Sequence, residues 1–321
     1  MTTLAIAKLP AAAAALLREN HACALLASLA VIKASGPAIR DYLQGQLTQD
    51  MALLTPERGI YTTVLTPQGK PVADMRILEG HNGELLIISE SSRAEALVGR
   101  LRRFAVGFEA RIGIVDALAV FAVQGPGTDA ALADCGLPVP TMNIYDTATS
   151  AEHETFSLRL PMAATDGVWV VCAKAEAVSC MRRLGHQITV EDMEAARIAH
   201  GFPRFGIDWD ETMHPLNANL IERHGVSFDK GCYVGQEVTS RMHWRGQIKW
   251  QLCRVGLDAA VESLPCAVMA TARMGEITSL AQTEDGEFRG IALLRIEAVE
   301  SDCELRAEGT RLSVLGQALP V

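Results

Sequence analysis

Apolar residues recur along this chain first at strand spacing and then at helix spacing. Residues 26–34 read as a strand, and 37–47 as a helix whose apolar Ile39, Leu43 and Leu47 repeat every four positions. The runs 61–66 and 72–78 flank Pro67-Gln68-Gly69-Lys70, a hairpin turn in which proline fixes φ and glycine permits φ > 0. A strand over 84–89 leads to a helix from about 92 to 104. The order strand, helix, strand, strand, strand, helix, strand predicts a mixed α+β layer.

A second stretch echoes the first. Gly83-Glu84-Leu85-Leu86-Ile87-Ile88 precedes Ala94-Glu95-Ala96 and Arg102-Arg103, as Gly167-Val168-Trp169-Val170-Val171-Cys172 precedes Ala175-Glu176-Ala177 and Arg182-Arg183. An internal duplication would place two similar α/β units side by side, with a ligand-sized cleft between them. Thr189-Val190-Glu191-Asp192 starts a helix that runs to His200 and stops at Gly201-Phe202-Pro203. Residues 204–232 lack periodicity, but Phe205, Ile207, Trp209, Leu216, Leu220 and Ile221 mark an ordered, packed loop. Short strand-like runs at 250–257, 268–273, 289–296 and 311–315 suit a small antiparallel barrel. The expected fold class is α+β: two related mixed α/β units forming a cleft, plus a C-terminal β-barrel. The expected divisions are 1–115, 116–246 and 247–321.

The chain of 321 residues is 49% apolar, enough to bury real cores, and its net charge of −9 argues against general binding to nucleic acid or anionic membranes. Eight scattered cysteines form no Cys-x-x-Cys, and the apolar runs 11–17 and 22–32 are too short to span a bilayer. Free thiols in a reducing, cytoplasmic setting are therefore expected. No metal is expected either: His200, His214 and His224 are spread over irregular chain, and Gln124-Gly125-Pro126-Gly127 lacks the lysine of a phosphate loop.

Candidate chemistry concentrates in Lys230-Gly231-Cys232-Tyr233-Val234-Gly235-Gln236-Glu237. A nearby lysine and a following helix N-terminus both favour a thiolate at Cys232, and the two glycines permit a tight turn and close approach. The alternative is a small buried cysteine. Arg241, His243, Trp244, Arg245 and Lys249 follow at once and suit a planar anion through arginine forks and an aromatic face. Gln46, Asp50 and Asp74 can hydrogen-bond an amino-pyrimidine, or serve as caps and turn residues.

The octapeptide resembles the K-G-C-[FY]-x-G-Q-E signature of the YgfZ-type folate-binding proteins, within the superfamily of the glycine-cleavage T-protein. Leu43-x-Gly45-Gln46-Leu47-Thr48-x-Asp50, Leu65-Thr66-Pro67-Gln68-Gly69-Lys70, Gln124-Gly125-Pro126 and Arg197…Gly201-x-Pro203…Gly206-x-Asp208 are similar to that family too. The resemblance covers roughly residues 25–250. It implies three domains in a ring with tetrahydrofolate near the central opening. It also implies a role in assembling or repairing iron–sulfur clusters in client enzymes, including a radical enzyme of tRNA thiomethylation, in exchange with cluster carriers. Cys232, with Lys230 beside it, becomes the expected working thiol. The expected folate contacts are Gln46, Asp50, Asp74, Tyr233, Gln236 and Glu237, with Arg241, Trp244 and Arg245 toward the acidic tail. A monomer is expected.

The chain departs from the T-protein pattern. Matched without gaps from Gly69, the two adjacent aspartates of T-proteins fall on Ala73 and Asp74, and the glutamate of R-x-E-x-G falls on Ala199. Loss of those carboxylates argues against aminomethyl transfer, which needs proton handling at the folate nitrogen. A one-carbon transferase using Asp74, and a folate-independent thiol protein using Cys232, are the rival readings.

Overall fold

The structure, a computed structural model, describes residues 6–150, 154–246, 248–301 and 303–319. In the first unit, Ile60–Leu65, Pro71–Glu79, Leu85–Glu90, Leu29–Ser35 and Arg111–Ile114 lie in that order in an antiparallel sheet. Helices Ile39–Gln44 and Ser91–Phe104 complete the predicted sequence of elements. Side chains alternate along a strand. Ala73, Met75 and Ile77 therefore join Leu97 and Leu101 in one core, while Leu78 and Tyr61 belong to the core shared with the second unit. Asp74 and Arg76 share that second face. The helix expected to reach Leu47 closes at Gln44, three residues before the periodicity suggests.

The second sheet has the order Ala22–Leu25, Leu118–Gln124, Gly167–Ala173, Phe156–Arg159, Thr147–Thr149. Read from the other end, it repeats the first sheet strand for strand, and Gly167–Ala173 runs into helix Lys174–Leu184 as Leu85–Glu90 runs into Ser91–Phe104. The edge strands are exchanged. Ala22–Leu25 lies in the second sheet but leads into the first unit's Leu29–Ser35; Arg111–Ile114 lies in the first sheet but leads into Leu118–Gln124. Residues 7–25 thus depart from the 1–115 division.

Six antiparallel strands close into the C-terminal barrel: Arg273–Gln282, Cys266–Met269, Leu305–Ala307, Thr310–Gln317, Trp250–Leu257 and Phe288–Arg295, which returns to Arg273–Gln282. Ala7–Lys8 adds to its outside in parallel. The long Arg273–Gln282 strand escaped the sequence reading because Gly275, Glu276, Thr278 and Ser279 break its apolar pattern. Between the units and the barrel runs helix Val190–His200. Its Thr189–Asp192 capping box is formed, and Gly201 ends it at φ 87°. The irregular chain that follows is ordered by packing: Trp209 meets Phe205 edge-on at 4.7 Å, and the Asn219 amide donates to the Leu252 carbonyl of the barrel at 2.7 Å.

Candidate functional site

Where the two units face each other lies a narrow cleft with about 40 Å³ of free space, far below the ~300–1,000 Å³ usual for small-molecule sites, so a larger ligand would have to part its walls. Leu29, Arg76 and Glu90 line it from the first unit, Met162 and Trp169 from the second. Met193 and Glu194 of the Val190–His200 helix and Phe202–Phe205 of the loop complete it. The walls are apolar and aromatic, and the polar groups are charged and paired. Arg204 grips Glu90 with two bonds of 2.9 Å and reaches Glu194 at 3.1 Å. Arg197, fully buried, holds Glu194 at 2.8 and 2.9 Å and Asp208 at 2.8 Å. The other Asp208 oxygen accepts from Thr278 and Ser279 of the barrel, so one polar chain ties the first unit to the barrel through the Val190–His200 helix and the loop after it. Burial pushes the Glu194 carboxyl up, but Arg197 and Arg204 outweigh it and hold it at about 2. Burial raises Glu90, with Arg204 opposing.

Behind this wall, Tyr61 Oη donates to Asp74 Oδ2 at 2.9 Å, and Arg76 approaches the same oxygen at 3.3 Å. Asp74 Oδ1 is buried without a hydrogen-bond partner. The Arg76 guanidinium lies 4.7 Å from the Tyr61 ring centre and 5.3 Å from Trp169; Arg223 lies 4.5 Å from Tyr61. These cation–π contacts offset part of the desolvation of two buried arginines.

The positions of the alanines change the argument drawn from them. Ala73 faces the core beneath the first unit's helices, and Ala199 lines a different cleft with Leu9, Arg18 and Glu284. Neither removes a carboxylate from the central cleft, which is bordered by Glu90 and Glu194 with Asp74 behind Arg76.

The octapeptide lies apart from this cleft. Cys232 is exposed, before the helix Gln236–Trp244. Lys230 is buried: its ammonium donates to the carbonyls of Leu47 and Gln49, both at 2.9 Å, and sits 5.3 Å from the Tyr233 ring centre. Burial pulls Lys230 down to about 8, against the pull of Asp50. Lysine therefore fastens the motif to the segment that follows helix Ile39–Gln44. Asp50 caps the short turn Met51–Leu53 and accepts from Gln44, Gln46 accepts from Arg100, and Tyr233 is buried. Glu237 pairs with Arg241 at 2.7 Å on an exposed face, where Trp244 is 74% exposed beside Arg245. Of the expected folate contacts, only Asp74 abuts the central cleft; Gln46, Asp50, Tyr233, Gln236, Glu237, Arg241, Trp244 and Arg245 do not line it.

Sequence reasoning missed Arg76, Glu90, Trp169, Glu194 and Arg204. One signal was present: Asp74 and Arg76 are charged at alternate positions of an otherwise apolar strand, which sets them on one face opposite the core.

Two mixed α/β units and a closed six-stranded barrel define a three-part α+β class of protein by its architecture. The chain belongs to the GCVT N-terminal domain family, which matches residues 10–228. Among curated relatives, the tRNA-modifying protein YgfZ of Hamiltonella defensa is 28% identical over 298 residues, covering 89% of this chain and 86% of that protein. The mouse mitochondrial iron-sulfur cluster assembly factor IBA57 is 27% identical over 320 residues, covering 93% and 84%. The glycine cleavage system aminomethyltransferase T from Bartonella henselae superposes with a TM-score of 0.81 at 19% identity, over 93% of this chain and 86% of that one, and so shares the fold. Among the described residues, no helix is long and apolar enough to cross a membrane.

Proposed function

We propose that this protein binds tetrahydrofolate, or a derivative, in the central cleft and serves the assembly or repair of iron–sulfur clusters in client enzymes. Cys232 is its working thiol. The observation that carries the folate half is the cleft's lining. Trp169, Phe202, Leu29 and Met193 offer apolar walls to a flat ring, and the paired Glu90, Glu194 and Arg204 offer acceptors and donors to a polar edge. When bound, the folate would supply a one-carbon carrier; the chain's own residues bind and orient it. The cluster half rests on the relatives named above and on an exposed Cys232. Client enzymes and cluster carriers would meet the Cys232 face, with the chain acting as a cytoplasmic monomer.

Calorimetric titration of the reduced protein with tetrahydrofolate tests the first half. The expected result is saturable binding near one per chain, weakened about tenfold or more by Trp169→Leu and little changed by Arg241→Ala with Arg245→Ala. Absence of binding removes the folate half; loss through the arginine pair alone moves the site to the outer helix. For the second half, Cys232→Ser should abolish client-enzyme activation in cells while leaving folate binding intact.

A second reading has one observation in its favour. Asp74, with an unpartnered oxygen beside Arg76, leaves a carboxylate next to the cleft for a folate-dependent one-carbon transfer. Asp74→Asn separates the two: lost turnover with retained folate binding would establish the enzyme.

A further inference from the structure

We propose that the free edge of the first sheet is a docking groove for an extended, acidic segment of a partner protein. Arg111–Ile114 ends its sheet and pairs on one side only, with Leu29–Ser35. The Val115 amide donates to the Val31 carbonyl at 2.8 Å. Antiparallel pairing alternates, so residues 111 and 113 turn their amides and carbonyls to that neighbour, as Val115 turns its amide; the Val115 carbonyl accepts from the Leu118 amide at 3.2 Å. The amides and carbonyls of Ile112 and Ile114 then point to the free edge. Arg102 Nε covers the Ile112 carbonyl at 2.6 Å. The two amides and the Ile114 carbonyl face an added strand, as in other cases of strand addition.

An open groove of about 640 Å³ runs beside this edge, lined by Lys33, Arg102, Val106, Arg111 and the strand itself. Its lip is apolar where solvent would favour a polar residue: Val106 is 85% exposed. Its rim is basic on a chain of net charge −9. Lys33 is already paired with Glu84 and Glu154; among the described residues, Arg102, Arg103 and Arg111 have no carboxylate within salt-bridge distance, which leaves them to complement a partner's charge. Three features thus select the occupant. The ladder positions require extended backbone, which neither a lipid surface nor a helix presents; the apolar lip takes alternate side chains; the arginines take flanking carboxylates. None of Arg102, Arg103, Phe104, Val106 and Arg111 lines the central cleft or belongs to the 230–237 motif, so the inference stands apart from the folate reading.

The test is fluorescence anisotropy of the full chain with a labelled octapeptide of alternating valine and glutamate. Ile114→Pro removes an outward amide while leaving the ladder to Leu29–Ser35 intact, as proline is tolerated on edge strands. Val106→Asp with Arg111→Glu alters exposed side chains alone, and this pair decides the question if the proline variant unfolds. The expected result is saturable binding, weakened about tenfold or more in both variants and for a valine–lysine octapeptide. No saturable binding up to roughly millimolar peptide, or equal affinity in wild type and variants, overturns the proposal. So does retention on phosphatidylglycerol vesicles abolished by Val106→Asp/Arg111→Glu without peptide binding, which would make the patch a lipid contact. A dimer in light scattering that the same pair dissociates would assign the edge to a second copy.

Discussion

Arg197 shows how much of this molecule depends on single charges. Its guanidinium is out of contact with water and bridges two carboxylates on different elements, Glu194 and Asp208. Removing one partner of a buried ion network leaves the other uncompensated. Arg197→Met should therefore cost about 3–5 kcal/mol in urea unfolding. Arg197→Lys should recover little, because an ammonium cannot reproduce the planar fork. The same burial shapes the acid limb of stability. His200 is pushed down from an ordinary 6.5 to about 4 by burial and the Arg254 cation, and His214 to about 4 by burial and Lys70. With folded values below unfolded ones, the unfolded chain binds more protons between 6.5 and 4, so stability is full above that window and falls as pH drops through it. Glu194, held at about 2 against an ordinary 4.5, adds a further loss below 4.5 by the same sign. Thermal melts from pH 8 to 4 should show this decline, and His200→Gln with His214→Gln should flatten its upper part. The wall of the central cleft was hidden in the sequence because its partners lie far away: Arg204 and Glu90 are 114 positions apart. The turn and helix start around Cys232 were legible because they lie in consecutive residues.

At the scale of elements, the motif is fixed by contact between a hairpin and a helix. Gly235 has φ +86°, and a Cβ there would lie 2.8 Å from the Thr66 carbonyl oxygen and 2.9 Å from Leu65 Cβ. Gly69, in the hairpin turn at φ +75°, packs against Val238 in the first turn of the Gln236–Trp244 helix. Gly231 faces open space and has no such contact. The sequence reading gave both motif glycines a conformational role; the structure requires it of Gly235 alone. Gly235→Ala should cost about 1–3 kcal/mol, combining left-handed backbone strain with displaced hairpin atoms. It should also change the rate at which a thiol reagent labels Cys232, since the helix start moves with it. Gly231→Ala should stay within about 0.5 kcal/mol of wild type, as exposed substitutions usually do. Urea unfolding and labelling rates on the two variants distinguish these outcomes. Helix and hairpin were legible beforehand through turn chemistry and period. Their mutual contact was not, because 170 or so residues separate them and only packing brings them together.

Across the whole molecule, the exchange of edge strands decides what can fold alone. The echo between 83–103 and 167–183 was visible in the sequence because both copies are long strands entering amphipathic helices. The exchange was not, because Ala22–Leu25 and Arg111–Ile114 are four residues each and their sheet is chosen by packing. Its consequence is physical. Ala22–Leu25 pairs with Leu118–Gln124, and the central core combines Leu78, Leu86 and Ile88 of one unit with Phe156, Leu158 and Trp169 of the other. A fragment of residues 1–115 carries the strand its partner needs and exposes the face its partner covers. Such a fragment should show no cooperative thermal transition, whereas the full chain should melt its two units in one. Calorimetry on both decides it. If 1–115 melted cooperatively by itself, the shared core and the exchanged strand would be dispensable, and the cleft between the units would become an interface between independent domains, free to open. If the units melt only together, ligand in the cleft should raise the single transition for both at once, because whatever binds the joined state stabilises every contact that holds the units together.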